Sequence, residues 1–176
     1  MRGNIFLVGP MGAGKSTVGK RLAESRAMEF IDSDAEIETR TGVDIAFIFE
    51  KEGEDGFRRR ERAVLADLTQ RTGIVLATGG GAILDPDNRQ WLSSRGFVVY
   101  LHASLDQQVH RTGRTDNRPL LQTGGERREI LERLFEMRDP LYREIADFVL
   151  PTDGRNARAL VREIEEHLEH RPAGTA

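Results

Sequence analysis

The 176-residue sequence predicts an α/β fold of three α/β/α layers, built on a five-stranded, mostly parallel sheet with helices on both faces. Three observations carry that expectation. Short apolar runs of strand type alternate with helix-period segments five times along the chain. The first run, Asn4 to Val8, passes through G-x-x-x-x-G-K-S at Gly9 to Ser16 straight into a helical pattern. The segments that close the second and third strands carry Asp32 with Asp34 and Gly79-Gly80-Gly81, so three unusual segments converge at the carboxyl ends of the strands. Sheets of this kind bind ligands there.

Taken in order, Lys15 to about Ala27 reads as the first helix, with Val18 and Leu22 turned inward. Glu29 to Asp32 is the second strand. Asp34 to Thr41 and Ile45 to Lys51 are two short helices parted by Gly42, and Gly53 precedes a longer helix to about Arg71. Gly73 to Ala77 is a buried strand. Asp85 caps a helix with Pro86 at its first position, and Gly96 stops it. Phe97 to Leu101 is the fourth strand, and Ser104 with Gln107 makes a capping box for the helix that follows. Residues 112–125 carry no clear periodicity; so long a loop inside a compact domain marks either a functional lid or a disordered segment. Glu126 to about Ala146 is helical with a kink expected before Pro140. Phe148 to Leu150 forms the last strand and Asn156 to about His170 the closing helix. One domain over residues 1–170 accounts for the chain, with 171–176 a loose tail.

Composition narrows the function. Hydrophobic residues make up 38%, charged residues 31%, and the net charge is −3, which describes a well-solvated surface without a nucleic-acid footprint or membrane-binding patch. The absence of cysteine rules out disulfides, thiolate nucleophiles and Cys-based metal sites. No apolar stretch approaches the roughly 18 residues of a membrane span, and the first strand starts without a leader ahead of it. A cytoplasmic monomer acting on small molecules is the expectation.

The loop at Gly9 to Thr17 is built to hold phosphate. Its glycines let successive backbone N–H groups turn inward, and Gly12, Ala13, Gly14, Lys15, Ser16 and Thr17 form the nest at a helix N-terminus. Lys15 reaches the β- and γ-phosphates, and the Ser16 hydroxyl suits Mg²⁺. Asp32 and Asp34, two apart in extended chain, point the same way. One can hold the metal and the other an acceptor hydroxyl; helix capping is a common alternative for Asp34, but the strand-end placement favours function. In F-R-R-R-E-R, about 100° per residue puts Phe57, Val64, Leu65 and Leu68 on one face with Glu61 in its middle and Arg58 at its edge. Arg58 held by Glu61 is therefore a candidate anion-reading group, or else a structural ion pair. The bare backbone of Gly79-Gly80-Gly81 implies either a close approach or positive φ. Arg111, Arg114 and Arg118 flank or lie in the lid, where an arginine can stabilise transferred charge. Arg138 comes just before Pro140, with no local role assigned.

With those residues in view, the chain resembles the shikimate kinase family over about residues 4–165. The resemblance rests on G-P-M-G-A-G-K-S-T, F-I-D-S-D, G-E-D-G-F-R-R-R-E, A-T-G-G-G-A, R-P-L-L and R-D-P-L-Y, in that order and spacing. It implies a P-loop, nucleoside-monophosphate-kinase-like fold. It also implies transfer of the ATP γ-phosphate to the 3-hydroxyl of shikimate with Mg²⁺, in aromatic amino-acid biosynthesis. On this resemblance Lys15, Asp34 and Arg118 are catalytic, Ser16 and Asp32 serve the metal, and Arg111 packs on adenine with Arg118 also at the nucleotide. Asp34, Phe49, Phe57, Arg58, Glu61, Gly79, Gly80, Gly81 and Arg138 surround shikimate, with both arginines on its carboxylate. The lid between Arg111 and Arg118 is the least family-like part. Another small-molecule kinase, such as a gluconate kinase, is the alternative, and a non-catalytic nucleotide-binding module is a third. A GTPase is excluded, because no N-K-x-D segment is present.

Overall fold

The computed structural model describes residues 3–113 and 126–170. Among them five strands form one sheet: β1 (Asn4–Val8), β2 (Glu29–Asp32), β3 (Ile74–Ala77), β4 (Gly96–His102) and β5 (Phe148–Pro151). Their order is β2-β3-β1-β4-β5, and every neighbouring pair is parallel rather than merely most of them. The alternation of side chains along each strand divides the core in two. Phe6 and Val8 of β1, with Val98 and Tyr100 of β4, enter one cluster; Ile5 and Leu7, with Val99 and Leu101, enter the other.

The helices covering the second cluster are α1 (Lys15–Arg26) and α7 (Ala157–Glu169), contributing Val18 and Leu22, and Leu160 and Ile164. The first cluster lies under α2 (Ser33–Thr41), α3 (Ile45–Leu68), α4 (Pro86–Arg95) and α6 (Arg127–Ile145). A further helix, α5 (Leu105–Thr112), leads toward the lid region. The order places β1 at the switch point, with later strands added on opposite sides, so its loop opens at the crevice such sheets provide.

Most element boundaries fall within a residue or two of the expected ones, and the differences have local causes. The helices expected on either side of Gly53 run together as α3 but bend there, because Gly53 takes φ 69° and ψ −176°. The Arg60 guanidinium bridges back across that bend to Glu52 at 2.6 Å. Gln107 completes only half of the capping box. Its N–H donates to the Ser104 hydroxyl, but its side-chain amide donates to Thr152 Oγ1 at 2.9 Å while the Ser104 N–H goes to Asp153. Helix α6 continues through Pro140 to Ile145. The carbonyl that loses a partner there belongs to exposed Glu136, where water can satisfy it.

Candidate active site

The loop between β1 and α1 is shaped by glycines in the left-handed region, Gly12 at φ 80° and Gly14 at φ 88°. Gly14 is also the N-cap of α1 and offers no side-chain cap, which leaves the first-turn N–H groups turned to the loop. Lys15 Nζ donates to the carbonyls of Gly9 and Pro10 at 2.7 and 2.8 Å, so its ammonium is already held over the loop. Ala13 is buried, whereas Ser16 and Thr17 are exposed. The Arg111 side chain leans on the loop from α5 and donates to the Gly12 carbonyl at 3.0 Å.

The alternation argument and the capping alternative both fail for Asp34. The strand ends at Asp32 and α2 begins at Ser33, so Asp34 is helical and the alternation argument does not apply to it. Asp32, not Asp34, is the cap: its Oδ1 accepts from the N–H groups of Asp34 and Ala35 at 2.9 and 3.1 Å. Its Oδ2 accepts from the Ser16 hydroxyl at 2.7 Å, which ties the second strand to the phosphate loop. Ser33 is fully buried and its hydroxyl accepts from the Gly79 N–H at 3.1 Å. Asp34 makes no side-chain hydrogen bond with the described residues, and its Oδ1 is sealed from solvent. Burial, then the nearby Glu61 and Asp32 carboxylates, push its pKa up to about 7, against the opposing pull of Lys15 and Arg58.

The predicted ion pair is present. Glu61 is 1% exposed in the apolar stripe of α3 and accepts from Arg58 Nη1 at 2.8 Å. Burial raises the Glu61 pKa in spite of that partner, whereas for Arg58 the opposing carboxylates of Glu61 and Glu54 outweigh burial and keep the guanidinium charged. Phe57 stacks against Phe49 with ring centroids 4.9 Å apart, and the Arg58 guanidinium lies over the Phe57 ring at 5.2 Å.

None of Gly79, Gly80 and Gly81 has a positive φ; their requirement is close approach. A Cβ on Gly79 would stand 2.8 Å from Asp34 Oδ1 and 3.0 Å from Glu61 Oε2. One on Gly80 would stand 3.3 Å from Arg138 Nη1, and one on Gly81 2.7 Å from Arg58 Cζ and Nη1. Four charged side chains from α2, α3 and α6 thus converge on three residues without side chains. Arg138, given no role by its local sequence, is 4% exposed and belongs to this cluster. Burial pulls its pKa below the ordinary value, yet a guanidinium stays charged.

Comparison with known proteins identifies the family. The family model for shikimate kinase matches residues 11–169. A shikimate kinase of Haemophilus influenzae is 56% identical over 167 residues, covering 95% of this chain and 93% of its own. The chain belongs to the shikimate kinase family. A relative of solved structure, the shikimate kinase of Acinetobacter baumannii in complex with shikimate, superposes with a TM-score of 0.95 at 50% identity, over 99% of this chain and 97% of its own. A deoxyadenosine kinase of M. mycoides matches at TM-score 0.62 and 16% identity, over 94% of this chain and 98% of its own, and shares the fold alone.

For this shikimate kinase family member the structure brings together Gly12, Ala13, Gly14, Lys15, Ser16, Thr17 and Arg111 at one end of the crevice and Asp34, Phe49, Phe57, Arg58, Glu61, Gly79, Gly80, Gly81 and Arg138 at the other. Arg114 and Arg118, with nearly all of the expected lid and tail, lie outside the described residues. The donor set at the metal position fits Mg²⁺: the Ser16 hydroxyl and Asp32 carboxylate are hard oxygens, 2.7 Å apart. A hydroxyl and a single carboxylate suit an ion that keeps phosphate and water as its other ligands. Among the described residues no cluster of three or more His, Cys, Asp or Glu offers a protein-only cage. Sequence reasoning missed Ser33, which holds the Gly79 N–H, and Tyr142, whose hydroxyl donates to the Gly80 carbonyl. A polar residue between two strand-end aspartates beside three bare glycines is the signal that could have found Ser33, since each of those peptide N–H groups needs an acceptor.

Proposed function

We propose that this chain transfers the γ-phosphate of ATP to the 3-hydroxyl of shikimate, giving shikimate 3-phosphate and ADP for aromatic amino-acid biosynthesis. The observation that carries the reading is a set of buried polar atoms without hydrogen-bond partners: Asp34 Oδ1, Arg58 Nε, Glu61 Oε2 and Arg138 Nε, gathered around Gly79 to Gly81. Buried polar groups left unpaired cost free energy, and a cluster of them points to a ligand. A cyclic polyol acid complements this set, with its carboxylate for the two arginines, its hydroxyls for Asp34 and its ring against bare backbone.

In the reaction, Arg58 and Arg138 hold the substrate carboxylate at the far end of the crevice, and Phe49 and Phe57 wall it. Asp34 accepts a hydrogen bond from the attacked hydroxyl and aims its oxygen at the phosphate loop. The loop N–H groups and Lys15 hold the β- and γ-phosphates, with Lys15 exchanging its carbonyl partners for phosphate oxygens. Ser16 and Asp32 would hold Mg²⁺, which would supply positive charge to neutralise the phosphates. The loose transition state of phosphoryl transfer asks mainly for alignment and charge stabilisation, so Asp34 acts first as an orienter and takes the hydroxyl proton late. Arg111, seated on the Gly12 carbonyl, is placed to cover the nucleotide.

A gluconate kinase would have no evident use for both arginines beside the triple glycine. The test is ADP release from Mg·ATP with shikimate, with gluconate and with neither. Release that depends on shikimate supports the reading; release stimulated equally by gluconate, or none with either, defeats it.

A further inference from the structure

Tyr142 follows Arg138 by one turn of α6, so the two side chains lie on the same face of the helix. It is 1% exposed, its hydroxyl donates to the Gly80 carbonyl, and the neighbouring Arg138 guanidinium is close enough to act on it electrostatically. A phenol has one proton to give and lone pairs to receive, so with the proton on Gly80 the oxygen is still able to face a cation. Burial pushes the Tyr142 pKa up to about 12, which keeps that proton in place. Beneath it the ring rests on Tyr100 with centroids 4.8 Å apart, and the Tyr100 hydroxyl donates to Asp139 at 2.6 Å. Arg143 bonds the other Asp139 oxygen at 2.9 Å. In R-D-P-L-Y, then, the aspartate ties α6 to the sheet and the tyrosine ties it to the triple glycine.

We propose that Tyr142 is a positioning residue of the substrate cradle, whose single hydroxyl holds the Arg138 guanidinium and the Gly80–Gly81 peptide in one fixed relation. A trans peptide sets C=O and N–H on opposite sides, so with the Gly80 carbonyl drawn to Tyr142 the Gly81 N–H points away from it. That N–H finds no acceptor among the described residues. One hydroxyl therefore orients a cation and a backbone donor for the same anionic ligand, an arrangement a phenylalanine of equal bulk would lose. The inference rests on the proposed function, because it takes the substrate acid as the ligand of Arg138.

Tyr142→Phe in the full chain tests it. The ring and its packing stay, while the Gly80 carbonyl and Arg138 lose a shared partner. The KM for shikimate should rise about tenfold, the size expected for losing one buried hydrogen-bonding group. The KM for ATP should stay within about twofold and Tm within a few degrees. Preference for shikimate over its uncharged methyl ester should fall in parallel, a readout that a purely space-filling role would leave unmoved. An unchanged KM and unchanged ester discrimination would overturn the proposal, as would equal rises for both substrates. Loss of the folded state would overturn it too, by making the hydroxyl a requirement of the fold. Absence of shikimate-dependent turnover in the unaltered chain would instead remove the proposed function and this inference together.

Discussion

Replacing Gly81 by alanine isolates the cradle from everything else. Gly81 has φ −99° and ψ 3°, a region open to alanine, so no backbone strain accompanies the change. The new methyl would stand 2.7 Å from both Cζ and Nη1 of Arg58, where ordinary contact begins near 3.4 Å. The guanidinium must retreat by well over half an ångström, and it is held: Nη1 bonds Glu61 at 2.8 Å and Nη2 bonds Glu54 at 3.2 Å. A hydrogen bond to a charged group is worth about 1.5–3 kcal/mol. Misplacing this one should therefore raise the KM for shikimate about ten- to hundredfold. Steady-state kinetics with each substrate varied in turn read the effect, and the KM for ATP should hold within about twofold. The neighbours supply a graded control. Gly79→Ala crowds Asp34 Oδ1 at 2.8 Å and should rank second, while Gly80→Ala meets Arg138 Nη1 only at 3.3 Å and should cost least. A Gly81→Ala enzyme with ordinary shikimate kinetics, or a series in which Gly80→Ala is the most damaging, would refute the close-approach reasoning.

Other perturbations have equally definite outcomes. Lys15→Ala should reduce turnover at least about a thousandfold, the order typical of losing one electrostatic contact to the transition state. Far-UV circular dichroism should stay unchanged, and loss of the helical signal would make Lys15 structural. Arg58→Ala should raise the KM for shikimate far more than that for ATP. It should also destabilise the fold by about 3–5 kcal/mol by leaving buried Glu61 without its partner, and adding Glu61→Gln should recover stability in urea unfolding but not the KM. The Asp34 carboxyl, raised from 3.8 to about 7, binds a proton more tightly in the folded than in the unfolded chain. Its contribution to stability is therefore full below pH about 4 and is lost as pH rises to about 7. Over the same window kcat/KM for shikimate should climb toward a midpoint near 7 as the carboxylate form appears. Asp34→Asn should flatten both profiles. Removing Mg²⁺ with a chelator should stop turnover and leave Tm in place, because no described cluster of acidic or histidine side chains depends on it for folding.

The sheet, its helices and the phosphate loop were legible because each is written in local terms, as alternation, helix period and glycine spacing. Glu61 was legible too, since a carboxylate in an apolar stripe demands a partner and i−3 supplies one. What the local pattern could not carry was which of Asp32 and Asp34 caps α2. That turned on whether the helix began at Asp34 or one residue earlier at Ser33, and element ends are set by tertiary capping rather than by propensity. Arg138 was placed only by the family resemblance and Tyr142 was invisible for a related reason: its partner Gly80 lies 62 residues away in the chain. Gln107 looked like a capping residue until Thr152, 45 residues on, offered its amide a better partner. Long-range hydrogen bonds of this kind assemble the cradle, and only the fold reveals them.

The central claim, that the cradle presents the 3-hydroxyl of shikimate to the phosphate loop, is tested most directly by the identity of the product. Reaction with Mg·ATP and shikimate, followed by phosphorus-31 and proton NMR of the purified product, locates the phosphoryl group. The account predicts one phosphate per shikimate, coupled to the proton on carbon 3, with ADP formed in equal amount. A phosphate on another hydroxyl would contradict the placement of Asp34, and free inorganic phosphate with shikimate unchanged would contradict the cradle itself.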